Sequence, residues 1–134
     1  MAKYSILPKE DVEYMLKTAV DHYSASRFHE AERLLRGILA LEPDEWRAWQ
    51  LLGSILLTQG FRVGADVVYR RCLEINPHDT YALAAVVEIA LDAMRAKDAE
   101  PYLDRLFQQD PEGKHPAVNR IRYLMSQMQA NSST

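Results

Sequence analysis

Along most of the chain apolar residues recur every three or four positions, and no stretch alternates with period two for more than a few residues. The pattern predicts an all-α chain. In LEPDEWRAWQLLGSILLTQGF, residues 41–61, Trp49, Leu52 and Leu56 make one apolar row and Leu51 and Ile55 a second. What remains is one polar stripe, Arg47, Gln50, Ser54 and Thr58, which must face water. Pro8 followed by Glu10 and Asp11 opens a first helix, because proline suits the first turn and acids suit the helix N-terminus; it runs to about Ser24. Its partner starts at Ser26 or Arg27 and ends near Leu41, with Glu32 and Arg36 as an exposed i,i+4 pair. A second pair spans about 45–59 and 62–75, broken at Gly60, and a third about 80–94 and 99–109. Pro101 lacks an N–H and belongs in a first turn, with Asp98 as the N-cap. The sixth helix is therefore expected to start later than its counterpart at Arg62, after a longer turn. Gly113 and Pro116 punctuate, and a last helix over about 116–130 carries Val118, Ile121, Met125 and Met128 on one face.

A repeat organises these elements. Pro43, Pro77 and Pro111 are spaced by 34 residues, and Ala31, Ala65 and Ala99 share that spacing. Each proline sits in a helix end followed by a turn: ALEPDE, EINPHD and QQDPEG. One residue breaks the local rules. Gly53 lies mid-helix, where glycine costs about 1 kcal/mol relative to alanine, so something must approach its backbone closely.

With Trp49, Leu52 and Gly53 as W-x-x-L-G, and Ala65, Tyr69 and Pro77 as small, aromatic and terminal proline positions, the middle repeat resembles a tetratricopeptide repeat (TPR). The resemblance covers nearly everything from Val12 to Pro111. It implies an α-solenoid of three helix-turn-helix repeats, about 12–45, 46–79 and 80–113, wound as a right-handed superhelix in a single domain over 1–134, with the last helix as a cap. It also implies that Gly53 and Ala65 let two backbones cross closely, with Ala19 and Ala31 doing so in the first repeat. Val87 facing Ala99 would hold the third pair slightly farther apart, and Tyr69 becomes Leu35 and Leu103 in the outer repeats.

Composition removes several functions. The 134 residues are 48% apolar, enough for a core, and the net charge is −3 with Lys and Arg scattered among acids. No phosphate-neutralising stripe exists, so no nucleic-acid partner is expected. Trp46, Trp49, Tyr69 and Tyr102 read as core rather than a base-stacking platform. The start lacks a signal-like apolar run and no segment is long enough to span a membrane, so a cytoplasmic protein without membrane contact is the expectation. His22, His29, His78 and His115 fall in different segments, with no second Cys beside Cys72. No metal, cofactor or catalytic residue is assigned. Cys72 reads as a compact buried hydrophobe rather than a reactive thiol.

A protein partner remains. The TPR resemblance implies a concave groove lined by Glu13, Leu16, Val20, Tyr23 and Ser24, then Arg47, Gln50, Ser54, Leu57 and Thr58, then Tyr81, Ala84, Glu88, Leu91 and Asp92. Tyr23, Leu57, Tyr81 and Leu91 are expected to be partly exposed anchors, with Arg47, Glu88 and Asp92 orienting a ligand by charge. The positions matching the carboxylate clamp of heat-shock-binding repeats are Leu16, Val20, Leu51, Tyr81 and Ala85, so no clamp is expected. The ligand is instead an extended or helical peptide with apolar anchors. A non-enzymatic adaptor or assembly subunit fits, and the chain is also similar to the chaperones of type III secretion translocators. Met125 and Met128 offer a second surface, and a homodimer is compatible with either.

Overall fold

The computed structural model describes residues 5–132. Among them are seven helices and no strand: α1 Lys9–Ser24, α2 Phe28–Leu41, α3 Trp46–Thr58, α4 Arg62–Ile75, α5 Thr80–Asp92, α6 Ala96–Gln109 and α7 Pro116–Ser132. They form two compact units, one ending at Asn76 and the other starting at Pro77. In the first, α1 packs on α2, α2 on α3 and α3 on α4, and α1 also touches α3. In the second, α5 packs on α6 and on α7.

The same turn closes all three helix pairs. Ser26, Gly60 and Met94, spaced by 34, have φ of 61°, 86° and 61°, and the N–H after each reaches back five residues: Arg27 to His22, Phe61 to Leu56 and Arg95 to Ala90. A bond of that reach around one left-handed residue satisfies carbonyls that a helix end otherwise leaves open. The prolines mark the opposite end. Glu42, Asn76 and Asp110 donate back to Ile38, Cys72 and Leu106, and Pro43, Pro77 and Pro111 then stop the helix. Glu45 and Asp79 cap the next helices, accepting from the N–H groups of Arg47 and Ala82.

The expected late start of the sixth helix is wrong. α6 begins at Ala96, one 34-residue period after Arg62, with Arg95 rather than Asp98 at its N-cap. Pro101 lies inside the helix and is exposed, as are its neighbours Lys97 and Glu100. It forfeits only the bond to the Lys97 carbonyl, on a solvent-facing side, and the left-handed turn at Met94 fixes the start. Likewise α5 ends at Asp92 rather than Met94, and α3 at Thr58.

The small residues Ala19, Ala31, Ala65 and Ala99, with Val87, are fully buried, and in the first unit Leu35, Ile38, Leu52 and Ile55 share the core with Ala19 and Ala31. Gly53 has a different neighbour from the one expected. A Cβ built there would lie 2.9 Å from Cε1, Cε2 and Cζ of Tyr69, so the close approach is made by the face of a ring rather than by the Ala65 backbone. Tyr69 is 4% exposed and its hydroxyl is tied to Ser54 Oγ at 2.8 Å, so the ring cannot swing away freely. The outer repeats obey the same exclusion: Ala19 goes with Leu35, and Val87 with Leu103.

The expected outcome of Gly53→Ala follows from this exclusion. Overpacking costs of about 1–3 kcal/mol exceed the helix-propensity gain of about 1 kcal/mol, so the variant should be less stable than wild type in denaturant unfolding. Gly53→Ala combined with Tyr69→Leu should be more stable than the sum of the two single effects. Strict additivity would mean that the ring does not exclude a side chain at 53.

Candidate functional site

The expected groove residues divide between the two units. In the first unit they lie on the face shared by α1 and α3. Arg47 stands between two carboxylates, with Nη2 at 2.7 Å from Glu13 Oε1 and 2.8 Å from Glu45 Oε1, Nη1 at 3.1 Å from Glu13 Oε2, and Nε at 2.9 Å from Glu45 Oε2. The hydrogen bonds from Arg47 hold the Glu13 carboxyl below its ordinary range, and Glu45 and then Glu13 push the guanidinium further toward its charged form. The expected role of Arg47 as an open charge is therefore corrected: it is committed to Glu13 and Glu45.

Farther along the face runs a row of hydroxyls. Tyr23 Oη meets Thr58 Oγ1 at 3.3 Å, Thr58 Oγ1 donates to the Ser54 carbonyl, and Ser54 Oγ meets Tyr69 Oη. Thr58 and Ser24 are exposed, and Gln50, Ser54, Leu57 and Tyr23 are half-buried, with the Tyr23 ring 5.7 Å from that of Phe28. Val20 is 47% exposed on the same helix as Leu16, which is a core residue at 7%. Leu16 thus belongs to the core of the first unit rather than to the surface it was expected to line.

In the second unit Tyr81 is exposed, with its ring edge-on to His115 at 4.5 Å between centroids. Ala84 and Leu91 are buried, which corrects the expectation that Leu91 is an exposed anchor. α5 is so apolar that most of its circumference is covered by α6 and α7. Glu88 does not wait for a ligand; Arg120 of α7 binds it at 2.9 Å. Asp92 is exposed at the end of α5. Val118 and Ile121 seat α7 in the core, while Met125 reaches a cleft of about 450 Å³ formed with Phe107, Pro111, Arg122, Ser126 and Gln129.

Two features were missed from sequence. Phe61, Val63 and Val67 are exposed, where the outer repeats carry Arg27, His29 and Arg33, or Arg95, Lys97 and Pro101. Comparing positions one period apart would have found them. The other is Glu42, whose Oε1 accepts from Ser5 Oγ at 2.9 Å and from the N–H groups of Ile6 and Leu7, both at 2.7 Å. This seats Leu7 against the core and the segment before α1 beside a cleft of about 430 Å³ that is also lined by Lys9, Glu13, Asp44, Glu45 and Arg47. Among the described residues no cluster of His, Cys, Asp and Glu could hold a metal ion, and no helix is long and apolar enough to cross a membrane.

This architecture is the TPR helical solenoid. The chaperone SycD of Yersinia enterocolitica type III secretion, in complex with a peptide of the translocator YopD, superposes with a TM-score of 0.81 at 13% identity, covering 93% of this chain and 97% of that one. The Sgt2 TPR domain of Aspergillus fumigatus gives 0.82 at 12% identity, over 99% and 89%. The first TPR of Spaghetti (RPAP3), bound to the HSP90 peptide SRMEEVD, gives 0.77 at 11%, over 92% and 97%. These neighbours are TPR and chaperone proteins, and at such identities they share the fold alone. No known family model matches the chain. A curated relative, the cellulose synthase 2 operon protein C of Komagataeibacter xylinus, is 28% identical over 118 residues; the match takes in 88% of this chain and 9% of the length of that protein.

The grip of Glu42 makes stability pH-dependent in a stated direction. The bonds from the Leu7 N–H, Ser5 hydroxyl and Ile6 N–H lower its folded pKa below the ordinary glutamate value of 4.5. Their stabilisation is complete above that value and is lost as pH falls through the lower folded pKa. Glu42→Gln should therefore melt below wild type at pH 7, with the gap narrowing as pH falls below 4.5, measured by thermal unfolding from neutral to acid pH.

Proposed function

We propose that the chain is a non-enzymatic protein-interaction module that holds a peptide or helical segment of a partner protein on the α1–α3 face, within a single three-repeat domain. The observation that carries this reading is an apolar set on a polar-rimmed face, exposed Val20 with half-buried Tyr23 and Leu57, beside the hydroxyl row of Thr58 and Ser54. Exposed aliphatic side chains grouped with fixed polar atoms are what a peptide-binding surface requires. That SycD and RPAP3 were each solved with a peptide of another protein supports the reading. Capture of an acidic C-terminus is not carried over, because the clamp positions Leu16, Val20 and Leu51 hold no cation. A chaperone for type III translocators, acting in the cytoplasm, is a second reading, favoured by the SycD–YopD likeness over nearly the whole chain.

The test uses two matched surface changes in the full chain. Val20→Asn should weaken partner capture at least tenfold, a loss of about 1.4 kcal/mol, without shifting the thermal melt by more than a few degrees. Val63→Asn, at the 80% exposed Val63 on α4, should change neither. A photo-crosslinker at position 20 should trap a partner in the native host. Trapping only from position 63 or 125 would refute the α1–α3 site.

A further inference from the structure

Two departures from the repeat lie on the first unit, and they are opposite in sign. In the second helix pair Arg71 lies over the Trp49 ring at 5.9 Å, and in the third Arg105 lies over the Tyr102 ring at 5.4 Å, so each of these pairs carries an arginine laid across an aromatic ring. One period before Arg71 stands Gly37. It is exposed in the middle of α2, and a Cβ built there meets nothing within 4 Å. Unlike Gly53, it yields room to no neighbour in the chain, although glycine is a costly residue inside a helix. Met15 stands where the second pair has Trp49, and a cleft of about 440 Å³ opens over half-buried Met15 and Leu34, with Thr18 and His22 on its α1 side and Glu30 and Arg33 on its α2 rim.

The second departure is a projection. Phe61, Val63 and Val67 are exposed at positions where the outer repeats carry charged or polar residues and Pro101. Val63 and Val67 stand one turn apart on α4 and make an apolar ridge.

We propose that the α4 ridge of one copy docks in the α1–α2 cleft of a second copy, so that the chain associates head to tail. Laid antiparallel to α2 with Val63 over Gly37, α4 brings Val67 to the level of Leu34. The same register sets Asp66 level with Arg33, Arg70 with Glu30 and Glu74 with Arg27. Each of these three charges meets its opposite, which fixes direction and register for the apolar contact. Asp66 and Arg70 already pair with each other at 2.9 Å, so docking extends an alternating row of charge. Ridge and cleft lie on different helices of one copy, and the contact is therefore heterologous: two joined copies keep one unused ridge and one unused cleft, and growth continues with concentration. Neither Val20 nor Leu57 takes part, so this contact is independent of the α1–α3 peptide site.

Sedimentation velocity on the full chain, from micromolar to near-millimolar concentration, reads the association. Wild type should pass through dimer to larger species. Gly37→Arg closes the cleft with the residue type found at positions 71 and 105, and Val63→Lys with Val67→Arg replaces the ridge with the types found at 97 and 33. Each should weaken association by roughly tenfold or more while melting near wild type. Mixed in equal amounts, the two variants should form a dimer and nothing larger, since one intact ridge and one intact cleft remain between them. A wild type that is monomeric at every concentration, or unchanged association in both variants, would overturn the head-to-tail contact. So would a mixture that stays monomeric, the result for a contact in which both copies use the same surface. A photo-crosslinker at position 63 reads the contact without altering the cleft. It should join α2 of a second copy; attachment to α4 of a second copy, or to no second copy, would overturn the proposal.

Discussion

Each helix pair depends on one residue turned into left-handed conformation. At Ser26, Gly60 and Met94 the chain reverses within three residues, and the following helix starts at Phe28, Arg62 or Ala96 with no freedom to slide. Only Gly60 adopts that conformation without cost. Ser26 and Met94 carry a penalty of about 1–2 kcal/mol each, which persists because the packing beneath them fixes the geometry. Once the turn is set, the fully buried alanines at 31, 65 and 99 fall one turn into their helices, and the rest of each pair closes over them.

This explains which parts of the fold were legible in the sequence. Proline and alanine at a common spacing revealed the repeat, because both act on the backbone and need no knowledge of neighbours. Gly60 was legible for the same reason. Met94 was not, since nothing about an isolated methionine announces a positive φ. Pro101 misled because a local rule, proline in the first turn, was weighed against a tertiary constraint that the sequence does not display. Gly53 announced a close approach truthfully but not its partner: the choice between backbone and ring depends on where Tyr69 points.

The surface was less legible than the core. Periodicity separates buried from exposed rows, and it placed Arg47, Gln50, Ser54 and Thr58 correctly on one side of α3. It cannot show that Arg47 is held between Glu13, 34 residues away, and Glu45, two away. Nor could it separate Val20 from Leu16, or exclude Leu91, whose burial follows from the cover that α6 and α7 give to α5. Two carboxylates a double period apart do related work unseen in the sequence. Glu42 holds the N–H groups of Ile6 and Leu7 ahead of Pro8, and Asp110 holds those of Lys114 and His115 ahead of Pro116. Each holds the two N–H groups that precede a proline, Pro8 at the N-cap of α1 and Pro116 at the first residue of α7.

The ring of Tyr69 over Gly53 has a spectroscopic consequence. The Cβ position of Gly53 is equidistant from three ring carbons at 2.9 Å, so the hydrogen that glycine carries in that direction points into the face of the aromatic ring. The circulating π electrons shield a proton there, whereas its geminal twin, directed along the helix surface, feels little of the field. The two Gly53 α-protons should resonate far apart, with one well upfield of every other glycine in the chain. That separation collapses as soon as the ring leaves the helix, so a single pair of resonances reports whether α3 and α4 are docked.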